Sequence, residues 1–417
     1  MNFDTVKYKA NYYLFLLLAF IIPLERKLIP PIIILLFVSS LLNGSFKFKE
    51  KKGILALALL YVTYVVGLIY SSNLKYGLFD LEVKLSLLLF PLVFFISKID
   101  IREIANKILN SFIDGCFVAS VLSLVSAAIQ YYLYSDINSF FYGELALYGH
   151  SSYMAIFLCF SSALIYIRNI KQNNAIKFPL KDLFLLGLFS IMIFFLISKT
   201  GIISILLIHF GFIGYLIIKN KLYLKGTVAL VLISTLLFAG YKAIPEVNNR
   251  FNELFNTVLS ERVDKNSTSA IRKEIWQTSV NILVQHPFGV GTGDVKDVLI
   301  ENYTEVGLNY AAEKELNAHN QFLQTALATG VLGLLVLLVM IIYPLYYAIK
   351  NKHIIYIIFL CLMTINFLTE AMLETLAGVV FYAFFNTLFY ATFVHEKFNK
   401  KVDTSYFKTT NSLINDN

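Results

Sequence analysis

Apolar runs recur along nearly the whole of this sequence, and many are long enough to cross about 30 Å of hydrocarbon. Lipid offers no partners to backbone N–H and C=O groups, so such runs are read as helices, which satisfy those groups internally. Composition agrees: 58% of residues are hydrophobic and 15% charged, against about 25% charged in a soluble domain. The expected fold class is an all-α, polytopic membrane protein of about twelve transmembrane helices. Spans are predicted at 12–24, 28–43, 54–70, 78–96, 112–134, 150–167, 183–198, 201–218, 226–244, 319–347, 353–370 and 376–394. Neither end has globular composition, so residues 1–417 are expected to form a single integral membrane domain, with 396–417 as a short tail.

The first run, Tyr12 to Leu24, has the look of a secretion signal. No small-residue cleavage site follows it, and Glu25, Arg26 and Lys27 lead straight into another apolar run, so an uncleaved helix is expected. Cys116, Cys159 and Cys361 lie inside apolar runs without metal-ligand spacing and are expected to be buried packing residues.

The net charge of +8 carries information through its placement. With the N-terminus in the cytoplasm, the cytoplasmic side receives Lys47, Lys49, Lys51 and Lys52, then Arg168, Lys171, Lys177 and Lys181, then Lys219, Lys221 and Lys225, and the tail lysines. The short outer loops hold few basic residues, chiefly Arg26, Lys27, Lys75 and Lys199. That asymmetry is the positive-inside rule, and it puts both termini in the cytoplasm. The basic character then reflects topology and contact with anionic lipid rather than nucleic-acid binding.

One connection is far longer than a connector needs. Residues 245–318 are expected to form a large outer loop between the ninth and tenth predicted helices, and long ordered loops are usually functional. Within it, Ser269 to Gln285 reads as an amphipathic helix with Ile271, Ile275 and Ile282 near one face; Pro287 and Gly289 end it. No internal repeat is evident, which gives a transporter built on inverted repeats no support.

The chain has six arginines among its 35 Lys and Arg residues, and Arg250, Arg262 and Arg272 all fall in this loop. Arginine's planar fork suits bidentate binding of phosphate or carboxylate. The competing reading is a salt-bridged surface, since Glu253, Glu261, Asp264 and Glu274 lie nearby. His319 stands where the loop meets a long apolar run. If Asn317 caps that helix, His319 falls in its first turn, where the dipole keeps the ring neutral and able to act as a general base. A satisfied interfacial histidine is the alternative.

His150 opens another outer-end helix, and Lys199 lies in a tight outer turn, Ser198-Lys199-Thr200-Gly201. A cation held at membrane depth tends to be functional, with snorkelling to the interface as the alternative. Glu82 and Lys84 are read as a structural ion pair at the outer mouth. Gly289, Gly291 and Gly293 follow a helix rather than a strand and lack dinucleotide spacing; a flexible, close-approach loop is expected. The sequence has no metal-ligand pattern, and neither metal nor cofactor is expected.

These residues resemble a known family. His319-Asn320, nine further residues, then Gly330-Val331-Leu332-Gly333 is similar to the His-Asn-x9-Gly-x-x-Gly signature of bacterial O-antigen ligases. Ser269-Ala270-Ile271-Arg272 through Trp276, followed by Pro287 to Gly293, resembles a second stretch of the same superfamily, which also includes O-antigen polymerases and protein O-oligosaccharyltransferases. The specific motifs cover about residues 198–335, and the helix layout extends the likeness over the chain. The resemblance implies a GT-C-like, metal-independent glycosyltransferase of the bacterial inner membrane with its active site facing the periplasm. It would move a glycan from undecaprenyl diphosphate to a lipid A–core or glycan hydroxyl.

On this pattern His319 is the base or acceptor-orienting group, with Asn320 beside it, and Arg272 binds the diphosphate. Arg262 and His150 are further candidates for substrate contact. A second family arginine falls in a Ser-Arg-x element, where this chain has Ser198-Lys199-Thr200; lysine supplies charge without the fork. Ligase is preferred to polymerase. The readings from other classes are a polysaccharide transporter or flippase, and a non-catalytic scaffold.

Overall fold

In the computed structural model the described residues are 3–43, 53–147, 150–172, 178–221 and 268–394, with isolated positions between 223 and 248. The expected tail, Arg250 and Arg262 lie outside them. All regular secondary structure among the described residues is helical. Among the described residues nine principal helices precede the loop: α1 (Phe3–Ile21), α2 (Ile29–Asn43), α3 (Leu59–Ile69), α4 (Leu74–Lys84), α5 (Ser86–Ile96), α6 (Ile101–Tyr134), α7 (Ser151–Gln172), α8 (Leu180–Phe195) and α9 (Lys199–Asn220). The loop contributes α10 (Thr268–Gln285) and α11 (Val295–Glu305), and after it come α12 (Gln321–Lys350), α13 (Ile354–Phe367) and α14 (Leu376–Phe389).

Five helices among the described residues are each long and apolar enough to cross a membrane: Ile101–Tyr134, Ser151–Ile170, Lys199–Asn220, Gln321–Lys350 and Leu376–Phe393. The other apolar helices are shorter. The run expected as one span at 78–96 is two helices that meet at Leu85, because Asp80, Glu82 and Lys84 set α4 apart from the apolar α5.

The core is organised around α14, in which every residue from Ala377 to Phe389 is buried. Phe385 packs on Phe112 of α6 with ring centroids 4.9 Å apart and on Phe160 of α7 at 5.1 Å, both edge to face. Phe389 meets Phe359 of α13 at 5.4 Å. Apolar contact alone does not drive helices together in lipid, so association rests on dispersion and shape. Each such aromatic pair adds about 0.5–1.5 kcal/mol beyond its buried area.

Polar clasps fix the neighbours of this core. Arg168 of α7 donates to Asn110 of α6 at 2.8 Å and to Asp182 of α8 at 2.6 Å. His209 of α9 has one ring nitrogen 2.8 Å from the Tyr166 hydroxyl of α7 and the other 2.8 Å from the Ser190 hydroxyl of α8. Both nitrogens are therefore used in packing. Cys116 and Cys159 are buried as expected; Cys361 is exposed on the flank of α13, where an apolar thiol can face lipid.

The glycine-rich turn after α10 is a strut rather than a flexible loop. It docks into a break in α12 at Gly330, whose backbone (φ 69°, ψ −166°) is open only to glycine. A Cβ there would lie 2.3 Å from the Phe288 carbonyl carbon. Val290 N–H donates to Leu327 O at 2.8 Å, Val331 N–H to Pro287 O at 3.0 Å, and the Tyr70 hydroxyl to Phe288 O at 3.0 Å. The bonds that α12 loses at its break are thus replaced by the turn. Farther along, Asp294 accepts from the Ser72 and Asn73 amides, each at 2.7 Å, and ties the turn to the start of α4.

Candidate active site

Helix α10 carries Arg272, and its register is set by Ile275 and Ile282, both buried, with Ile271 partly buried on the same side. This is the face expected from the sequence. Arg272 reaches across to the connection between α13 and α14, donating to Thr369 O at 2.9 Å and to Glu370 Oε1 at 2.9 Å. A guanidinium has five N–H donors, so these two bonds leave donor capacity on a half-exposed side chain.

His319 lies just outside α12 rather than in its first turn. The cap is Asn320, whose side chain accepts from Phe322 N–H at 2.9 Å and Leu323 N–H at 3.2 Å. Asn317 instead accepts from the His319 amide at 3.0 Å. His319 itself has φ 44°, a left-handed backbone that no helical turn accommodates, which is why the expected position fails. The ring faces a carboxylate instead: His319 Nδ1 is 3.2 Å from Glu370 Oε2.

Glu370 joins the two motif residues, one oxygen on Arg272 and the other on His319. It is 9% exposed. Burial alone would raise its pKa, but the His319 hydrogen bond and the Arg272 charge prevail and hold it at about 2. An ionised carboxylate only accepts, so Nδ1 of His319 carries the proton and, in the neutral ring, Nε2 holds the free lone pair. That is the arrangement of an oriented general base.

His150 belongs to the same group. Its ring meets Tyr153 edge to face at 4.7 Å. Burial lowers its pKa against the opposing pull of Glu370, and the neighbouring His319 and Arg272 lower it further. It keeps an exposed edge. Ser152, two residues on, places its hydroxyl 3.5 Å from Glu370 Oε1. Lys199 opens α9, capped by Ser198, whose hydroxyl accepts from Gly201 N–H at 3.2 Å. Helix α9 packs on α7 through Gly201 against Ala155, so Lys199 stands at the same end of the bundle as His150. Asn320, besides capping α12, donates to Leu368 O at 3.2 Å and so helps seat the connection that holds Glu370.

The structure thus brings together His319, Arg272 and His150, around a carboxylate that the sequence reading did not single out. Lys84 also differs from expectation. It pairs with Asp80 and Glu374 rather than with Glu82, which is exposed. The signal that points to Glu370 and Glu374 is positional: two acids in a short connection between apolar runs, where uncompensated charge is costly.

Residues 184–338 match the family model for O-antigen ligase. The resemblance to the O-antigen ligase superfamily read from the motifs is thereby borne out. The O-antigen ligase match includes Lys199, Arg272, His319, Asn320 and Gly330, and it ends before Glu370. No curated protein matches the chain.

Proposed function

We propose that the chain is a ligase-type glycosyltransferase that moves a glycan from undecaprenyl diphosphate to a lipid A–core sugar hydroxyl. The observation that carries this reading is Glu370 bridging Arg272 and His319. In the proposed step, Nε2 of His319 takes the proton of the acceptor hydroxyl. The oxygen attacks the anomeric carbon of the donor sugar, and the bond from that carbon to the diphosphate breaks. Undecaprenyl diphosphate leaves with the bonding pair, and Arg272, with Lys199, balances the charge it acquires. Glu370 stabilises the imidazolium formed. These residues supply a base and a charge clamp by themselves, so the proposal needs no metal.

In the same proposal the chain crosses the bacterial inner membrane about twelve times in a GT-C-like arrangement. Both termini lie in the cytoplasm and residues 245–318 form the periplasmic loop, as the lysine distribution supports. The polyprenyl tail lies against the apolar helices, whose lipid-facing surfaces are large.

A deletion strain, read by lipopolysaccharide gel and by analysis of lipid-linked glycans, tests the reaction. Loss of all attached glycan with long lipid-linked chains accumulating is the expected result. A single repeat still attached to core would reassign the chain as a polymerase, and unchanged glycolipids would remove it from both roles.

A further inference from the structure

Beside the proposed site lies a second charged group that takes no part in it. Lys84, the last residue of α4, has a side chain that is 0% exposed. Its ammonium group bonds Asp80 one turn back along α4, meets Glu374 Oε1 at 3.0 Å, and lies over the Tyr64 ring, 4.8 Å from its centroid. A lysine is taken fully out of water only where strong partners compensate. With two carboxylates on one ammonium, the group holds one acid more than charge balance requires, so the pairing with Glu374 needs a further reason.

That reason is where Glu374 sits. It closes the same connection that carries Glu370, four residues earlier in the chain. The connection is gripped along its length: Leu368 O by Asn320, Thr369 O by Arg272, and Leu373 N–H by Gln321 Oε1 at 2.6 Å. Asn320, Gln321 and Arg272 belong to α12 and α10, the elements of the site itself. Lys84 alone in this set reaches the connection from α4, and α4 is tied in turn to the glycine-rich strut through Asn73 and Asp294. The end of the connection beyond Glu370 is thus referenced to the rigid strut.

We propose that the Lys84–Glu374 ion pair is a positioning device, which pins the α13–α14 connection so that Glu370 keeps one oxygen on His319 and the other on Arg272. The inference rests on the reading of Glu370 as the partner of the proposed base. Lys84 and Glu374 act through Glu370 and touch no substrate.

The test is a double-mutant cycle on the purified full chain, with a polyprenyl-diphosphate-linked glycan as donor. Glu374→Met breaks the tether and leaves Lys84 paired with Asp80. It is expected to lower kcat about tenfold with donor KM changed less than about twofold, as when the support of an active group is removed. Glu374→Gln retains an oxygen acceptor for Lys84 and is expected to lose only about threefold. In a Glu370→Gln background, Glu374→Met should cost less than about twofold, because residues that act through one another are not additive. A Glu374→Met chain that fails to fold moves the same cycle to Glu374→Gln.

An unchanged kcat, or an equal loss with and without Glu370, overturns the proposal. The Glu370→Gln variant alone separates the two failures. If it turns over normally, the reading of the site is wrong and the tether falls with it. If it is impaired while Glu374→Met is not, only the tether is lost.

Discussion

Glu370 commits both carboxylate oxygens to residues that the sequence had already marked, and this makes it the sharpest point at which to test the site. Glu370→Gln keeps the size of the side chain but cannot hold an imidazolium, so turnover should fall by roughly 10- to 100-fold. Arg272→Lys keeps the charge and loses the fork that spans Thr369 O and Glu370; a loss of about tenfold is expected in the same transfer assay. Glu370 also makes a pH prediction. Its pKa is held at about 2, below the ordinary 4.5, so its stabilising contribution is complete above 4.5 and disappears as pH falls toward 2. Melting of the detergent-purified protein should decline over that window, and Glu370→Gln should remove part of the decline. Arg272 and His319 were legible in the sequence because arginine is scarce and the histidine stands in a spaced motif. Glu370 was not, since it lies 51 residues beyond His319 and its partners come only from tertiary packing.

At the scale of elements, helix α10 could be read from its isoleucine spacing, and its observed limits, Thr268–Gln285, agree with the expected Ser269 to Gln285. The break in α12 could not. A glycine inside an apolar run signals close packing as readily as a left-handed backbone, and only the docked turn at Phe288 and Val290 decides between them. Gly330→Ala should therefore destabilise the fold by about 2 kcal/mol or more, since it combines positive φ with a backbone clash. Gly187, in α8, has nothing within 4 Å of an added Cβ, so Gly187→Ala should be neutral or stabilising by up to about 1 kcal/mol. Thermal melting of the two variants side by side checks the contrast. Lys84 teaches the same lesson: its sequence neighbour Glu82 was the expected partner, yet burial turned it toward Asp80 and Glu374.

For the whole molecule, the apolar runs foretold a helical membrane protein. The lysine bias predicts that the end of the bundle carrying the proposed site faces the periplasm. Glu315→Cys should then react with an impermeant thiol reagent in intact cells, and Asn351→Cys only after permeabilisation; the reverse pattern would invert the topology. The central claim is that His319, held by Glu370, is the base of a glycan transfer clamped by Arg272. The most direct measurement is release of undecaprenyl diphosphate by the purified chain in liposomes, given lipid-linked glycan and acceptor. The wild type should release it, Glu370→Gln should do so far more slowly, and His319→Ala should lose about 10²-fold or more. Equal rates in the three proteins, at equal folding and insertion, would contradict the account.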